Sequence, residues 1–331
     1  MTQYGVSYFG VRDPRHAARD LDEIAEAGFR HLTHTLSEYD LRYHLEDVAR
    51  LVKMSRDRGL EVGLDPWGVG GIFGGEAYSE LALVDLECRQ RNEAGVSVPA
   101  ACPAAPATRA LLRRWTDAAL ELGPDVLFWD EPHFYLGHLR EEKASPCCRC
   151  DHCANRWRER TGEALPPEGS EELRAFRVEI IVDLLRETMT RVPGTVGQSV
   201  CLLPQGEFAA GTDAWGAFAE LPGLTRLGTD PYWMDRDVVP TEFVRRHVEP
   251  LRQECERVGV EMEVWIQAIR IAAGRESDVR DAAAVATELG ADVVSFWSFR
   301  GTERMAWLRS DDPDATWRAM CDAIPSPKEK S

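Results

Sequence analysis

The sequence predicts a (β/α)₈ barrel, and three observations carry the prediction. Eight short apolar runs alternate with eight longer helical patterns along the whole chain. A glycine follows five of the helical patterns just before the next strand, at Gly28, Gly59, Gly123, Gly259 and Gly290, as expected where a helix stops and a strand begins. No GxGxxG follows the first run, so the open doubly wound sheet lacks its dinucleotide fingerprint.

The strands are expected at 4–9 (YGVSYF), 30–35 (RHLTHT), 60–65 (LEVGLD), 125–130 (DVLFWD), 195–200 (TVGQSV), 225–230 (TRLGTD), 261–267 (EMEVWIQ) and 292–299 (DVVSFWSF). The helices fall between and after them, at 14–27, 44–58, 107–122, 171–191, 213–220, 240–257, 275–289 and 313–323. Asp13 before Pro14, and Ser170 before Glu171 and Glu172, are ready N-caps. Long connections follow the third strand (66–105, with the loop GVGGIFGGEA) and the fourth (132–170). Barrel enzymes build their sites from such βα loops. Residues 1–325 form one expected catalytic domain, with 326–331 a disordered tail.

Composition narrows the function. The chain has 331 residues, 44% of them hydrophobic, which suits a large core. A formal charge of −17 repels nucleic acid and anionic membranes over most of the surface. The N-terminus lacks a basic region followed by an apolar run, and no stretch approaches the ~18–20 apolar residues of a span. The expectation is a soluble cytoplasmic protein, with oligomeric state open and a homo-oligomer allowed. Nine cysteines in that compartment argue for thiols or a metal before disulfides.

The C-terminal strand ends gather polar and aromatic residues. They read His34 and Thr35, Asp65-Pro66-Trp67, Trp129-Asp130-Glu131, Asp230-Pro231-Tyr232-Trp233, Trp265-Ile266-Gln267 and Trp297-Ser298-Phe299-Arg300. Five of the ten tryptophans lie there. Indole faces stack on sugar C–H faces while carboxylates, Gln, Arg and His bind hydroxyls, so a small carbohydrate is the expected substrate. Alternation in the seventh strand turns Glu263, Trp265 and Gln267 inward, and in the sixth Arg226, Gly228 and Asp230. Asp230 and Gln267 then point into the mouth, while Glu263 and Arg226 lie deeper as an expected ion pair. His34, rather than His31, is the expected inward histidine of the second strand. His133 and Glu76 are further contacts, Glu76 reaching in from the glycine loop.

Glycosidic cleavage needs an acid for the leaving oxygen and a second group at the oxocarbenium-like centre. Glu131 is the candidate acid; Asp130 and Asp230 compete for the second role. Around VLFWDEPHFY (126–135) the chain resembles clan A glycoside hydrolases, barrel enzymes whose acid Glu ends the fourth strand. Their usual pair is Asn-Glu; the Asp-Glu-Pro form here is similar to the substrate-assisted N-acetylhexosaminidases of family 123. That resemblance implies that Asp130 orients a 2-acetamido group, that Glu131 is the acid and that Tyr232 is a third contact. Clan A enzymes carry a nucleophilic Glu at the end of the seventh strand, where this chain has Gln267. Substrate assistance, Asp230 as nucleophile or base, and lost hydrolytic activity remain open. A metal-dependent sugar isomerase or epimerase using Asp65, Glu131, His133 and Asp230, and a non-catalytic sugar-binding barrel, are the other classes.

The segment CCRCDHC holds Cys148-x-Cys150-x-x-Cys153, with Cys102 upstream in AACPAAP. Four thiolates at such spacing suit a closed tetrahedral Zn²⁺ site that is structural. The arrangement resembles the zinc site of some family 42 β-galactosidases, which implies a staple between the two long loops. Cys88, Cys201, Cys255 and Cys321 read as buried small apolar residues.

Overall fold

A computed structural model describes residues 2–136, 147–204, 211–212, 214–303, 305 and 307–325. The tail 326–331 and the part of the second long connection at 137–146 lie outside the described residues.

Eight parallel strands close into a barrel. In chain order the strands are β1 (Gln3–Tyr8), β2 (His31–Thr35), β3 (Glu61–Asp65), β4 (Arg89–Arg91), β5 (Ser97–Ala101), β6 (Val126–Asp130), β7 (Gly197–Leu202), β8 (Arg226–Thr229), β9 (Glu261–Gln267) and β10 (Val293–Trp297). The barrel runs β1-β2-β3-β6-β7-β8-β9-β10 and returns to β1; β4 and β5 form a separate antiparallel hairpin in the connection after β3. The helices are α1 (Pro14–Glu26), α2 (Glu38–Tyr43), α3 (Leu45–Arg56), α4 (Glu80–Val84), α5 (Pro106–Glu121), α6 (Asp151–Thr161), α7 (Glu171–Met189), α8 (Trp215–Ala219), α9 (Pro240–Val258), α10 (Ser277–Glu288) and α11 (Pro313–Asp322). Asp13 and Ser170 cap α1 and α7 through their side chains, as their positions predict. The hairpin and α2, α4 and α6 are additions that strand–helix alternation does not foresee.

Alternation along the strands divides the apolar side chains into two bodies. Outward residues such as Leu32, Leu64, Leu127, Val200 and Val264 pack with the helices in the main core. Inward residues build a second cluster near the mouth from Phe9, Phe128, Cys201, Trp265, Ile269, Trp297 and Leu308. Below it, Arg226 bonds Glu61 at 2.8 Å and Glu261 at 2.7 Å, and His31 bonds Glu61 at 2.9 Å. This network corrects the expected Arg226–Glu263 pair. Glu263 instead accepts the hydroxyls of Ser199 (2.6 Å) and Ser295 (2.9 Å) from the neighbouring strands. Among the described residues no helix is long and apolar enough to cross a membrane.

Candidate active site

Five carboxyls meet at the C-terminal mouth. Asp65 ends β3, Asp130 ends β6, Glu131 follows it, Asp230 follows β8, and Glu76 comes from the glycine loop after β3. Asp130 shares the inward face of Phe128, so alternation alone would turn Glu131 outward. Glu131 escapes that rule with a left-handed backbone (φ 39°), which costs a non-glycine residue about 1–2 kcal/mol. Its N–H donates to the Cys201 carbonyl at 3.0 Å, which fixes the turn against β7. Such local strain concentrates where a side chain must be aimed.

Gly74 shows how close the two acids are. A Cβ there would stand 2.3 Å from Asp130 Oδ2 and 3.0 Å from Glu131 Oε2. The Gly74 N–H donates to the Asp130 carbonyl at 3.0 Å, so the glycine loop is bonded to the rim it covers. Gly68 is left-handed (φ 67°), and a Cβ on it would meet the Ala77 carbonyl oxygen at 2.2 Å. Glu38 holds the same loop by accepting the N–H groups of Gly70 (2.9 Å) and Leu81 (2.8 Å).

Burial and mutual repulsion raise these acids. Asp65 stands well above the usual carboxylate range, first by burial and then by Glu76 and Glu131. Asp130 is raised by burial and then by Asp65, Glu131 and Glu76. Asp230 is raised by burial and then by the Glu131 and Asp130 charges beside it. Glu76 is pushed up to about 7, mainly by burial and further by Glu131. The Tyr232 phenol, facing Asp230, Cys201 and Asp130, is also raised well above its ordinary value, burial being the main cause. The walls are aromatic: Phe9 stacks on Trp297 at 4.7 Å and lies 5.3 Å from Trp67, and Trp265 packs on Phe128 at 4.8 Å.

Five of the expected site residues are placed differently. His34 faces the helices, where Nε2 bonds Ser55 Oγ of α3 at 2.9 Å; burial, aided by the Arg12 charge, lowers it to about 3. Its place in the strand puts it on the face opposite Thr33 and Thr35. Arg300 reaches outward to Glu23 of α1 (2.6 Å) and Asp314 of α11 (2.5 Å). Trp233 packs in the helix-side core, while its neighbours Tyr232 and Met234 meet the mouth cluster. His133 is tied to the turn itself, its Nδ1 to the Glu131 carbonyl and its N–H to the Ile72 carbonyl. Gln267, 1% exposed, is fully engaged by backbone. Its Oε1 accepts the N–H groups of Trp233 and Met234, both at 2.8 Å, and its Nε2 donates to the Ile269 carbonyl at 2.9 Å. Of the five strand-end tryptophans, Trp129 also faces the helices, beside Trp115. Phe9 and Phe128 are mouth residues that the sequence reading missed; continuing the alternation of β6 inward from Asp130 would have found Phe128.

Cys102, Cys148, Cys150 and Cys153 are all buried, and their sulfurs lie within 4.8 Å of one another. Cys102 Sγ and Cys153 Sγ are 3.4 Å apart. A tetrahedral ion with metal–sulfur bonds of ~2.3 Å sets its sulfurs about 3.8 Å apart, so the set fits a thiolate-bound Zn²⁺. The cluster joins the two long connections: Cys102 follows β5, and Arg149 N–H bonds the Arg91 carbonyl of β4 at 2.8 Å.

No protein-family model matches the sequence, and no curated protein matches it. Solved structures share the fold at low identity. The catalytic domain of β-amylase from Paenibacillus polymyxa matches with a TM-score of 0.68 at 10% identity, over 98% of this chain and 99% of that one. A GH5_18 protein from Streptomyces cattleya, solved with Manβ1-4GlcNAc, matches at 0.63 and 12%, over 98% and 80%. The endo-β-1,4-mannanase of Thermotoga petrophila matches at 0.56 and 10%, over 98% and 76%. The chain is a TIM barrel, and these structural neighbours of it are glycoside hydrolases.

Proposed function

We propose that the protein hydrolyses a glycosidic bond of a small saccharide or glycoconjugate, with Glu131 as general acid. The observation that carries this reading is the left-handed turn that sets Glu131 beside Asp130 and Asp230 in an aromatic-walled mouth. A positioned carboxyl that keeps its proton is what a leaving glycosidic oxygen requires. Asp230 stands beside it, buried and raised above the usual carboxylate range. Asp130, partly exposed at the same rim, is the group left to face the oxocarbenium-like centre or to orient a 2-acetamido group. Gln267, its amide bound up in backbone, takes no part in the second catalytic role.

The isomerase reading is weaker on geometry. Among the described residues the four cysteines are the group able to hold a metal ion, the mouth acids forming none, and His133 is turned to its own loop. Zn²⁺ at the four cysteines belongs to the same proposal as a structural ion, as in the family 42 enzymes that the cluster resembles. A panel of aryl glycosides including 2-acetamido sugars, run on the wild type and Glu131→Gln, tests the assignment. Turnover of a responsive glycoside that survives Glu131→Gln would remove Glu131 from the acid role.

A further inference from the structure

Buried acids elsewhere in this chain have partners. Asp40 takes the Arg12 guanidinium at 2.8 Å and Glu38 takes two backbone N–H groups. Glu168 takes Arg149 and Arg177, and Glu263 takes two serine hydroxyls. The mouth is the exception. Asp65 is 0% exposed and neither of its carboxyl oxygens has a hydrogen-bond partner. Asp230 Oδ1 and Glu76 Oε2 are likewise buried and unpartnered. The arginines nearest in sequence to the strand ends are engaged elsewhere: Arg12 with Asp40, Arg270 with Asp235, and Arg300 with Glu23 and Asp314.

Among the described residues these five carboxyls pair with no cation, a large local cost, since a buried charge needs a partner or a proton. Burial holds Asp65, Glu76 and Asp230 above the usual carboxylate range, and a cation placed among them would relieve that cost. A bare divalent ion wants several oxygens at about 2.0–2.6 Å, hence within about 5 Å of one another. Among the described residues the mouth acids form no group able to hold such an ion. An ammonium group needs only one or two direct oxygen partners, and it gains from the remaining carboxylates through space. The faces of Phe9, Trp67 and Trp297 suit both sugar C–H groups and a cation.

We propose that the well recognises a saccharide carrying a free, protonated amino group, with Asp65 and Glu76 as its anchors beside Glu131. The saccharide part rests on the hydrolase reading; the cation part rests on the unpartnered acids alone. Binding displaces protons from the acid cluster, so it is accompanied by proton release.

The test is calorimetry on the full chain at pH 6.5 with glucosamine, N-acetylglucosamine and glucose, and separately with MgCl₂, MnCl₂ and CaCl₂. Glucosamine is expected to bind about tenfold or more tightly than either neutral sugar. Its enthalpy should change with the ionisation enthalpy of the buffer, which reports the released proton. Asp65→Asn, nearly isosteric, should erase both the preference and the proton release. Should Asp65→Asn not fold, Glu76→Gln should reduce both. Equal binding of the three sugars, no binding, a preference for N-acetylglucosamine, or a preference untouched in the folded variants overturns the proposal. Saturable metal binding that Asp65→Asn abolishes, without a glucosamine preference, also overturns it. Aryl glycoside turnover in that event leaves the hydrolase reading standing. Glucosamine binding without turnover of any glycoside removes the hydrolase reading and leaves this one.

Discussion

Replacing Glu76 by Gln should stabilise the protein in a pH-dependent way. Glu76 stands at about 7 in the fold against an ordinary value of 4.5. The folded protein therefore keeps a proton on this group that the unfolded chain releases. Linkage then gives the sign: stability falls as pH rises from about 4.5 through about 7, and the full cost is present above that. The difference of about 2.5 units at about 1.36 kcal/mol each is about 3 kcal/mol. Gln has no proton to lose and keeps nearly the size and shape of Glu. The variant should match the wild type at pH 4.5 and exceed it by about 2–3 kcal/mol at pH 8. For a chain of 331 residues that is about 3–4 °C in Tm. Urea unfolding across pH 4.5–8.5 measures it directly. A variant that is destabilised, or stabilised equally at both ends of the range, would refute the picture of a crowded, protonated acid well.

Four further outcomes follow. Glu131→Gln should lower kcat by about 10²–10⁴-fold with ligand binding kept, measured by steady-state kinetics and calorimetry. Gly74→Ala places a methyl 2.3 Å from Asp130 Oδ2 and should abolish turnover, whereas Gly194→Ala, with nothing within 4 Å, should leave it unchanged. Gln267→Glu should not create a nucleophile: it sets a carboxylate against the Ile269 carbonyl and should cost about 1–3 kcal/mol without a gain in rate. Purified protein should carry about one zinc per chain, and Cys153→Ser should lose it and lower Tm, as read by elemental analysis and thermal melting.

The barrel was legible because its eight strands and their closing glycines are local signals. The strand ends were legible as a set, yet their directions depended on single residues. Alternation placed Asp230 and Trp265 in the mouth, and the same rule, applied to β2, would have turned His34 away. Glu131 defeats the rule through one left-handed φ, which no pattern of side chains announces. Gln267 was read as facing substrate because its position faces the mouth; only the β8 loop, two of whose N–H groups it binds, shows why an amide stands there. Arg300 is drawn outward by Glu23, 277 residues away in the chain, a pairing beyond any local pattern. The cysteine spacing, by contrast, carried its own geometry.

The Phe128–Trp265 contact has a consequence for how the well works. These rings lie across the barrel axis between the acids above and the Glu61–Arg226 network below. The shaft is thereby corked, and the cork is made of material that polarises poorly. Across it the acids still feel the charge beneath, Glu263 adding to the rise of Asp130, because an apolar layer screens less than water would. Relief of that field can then come only from charge placed on the loop side of the two rings.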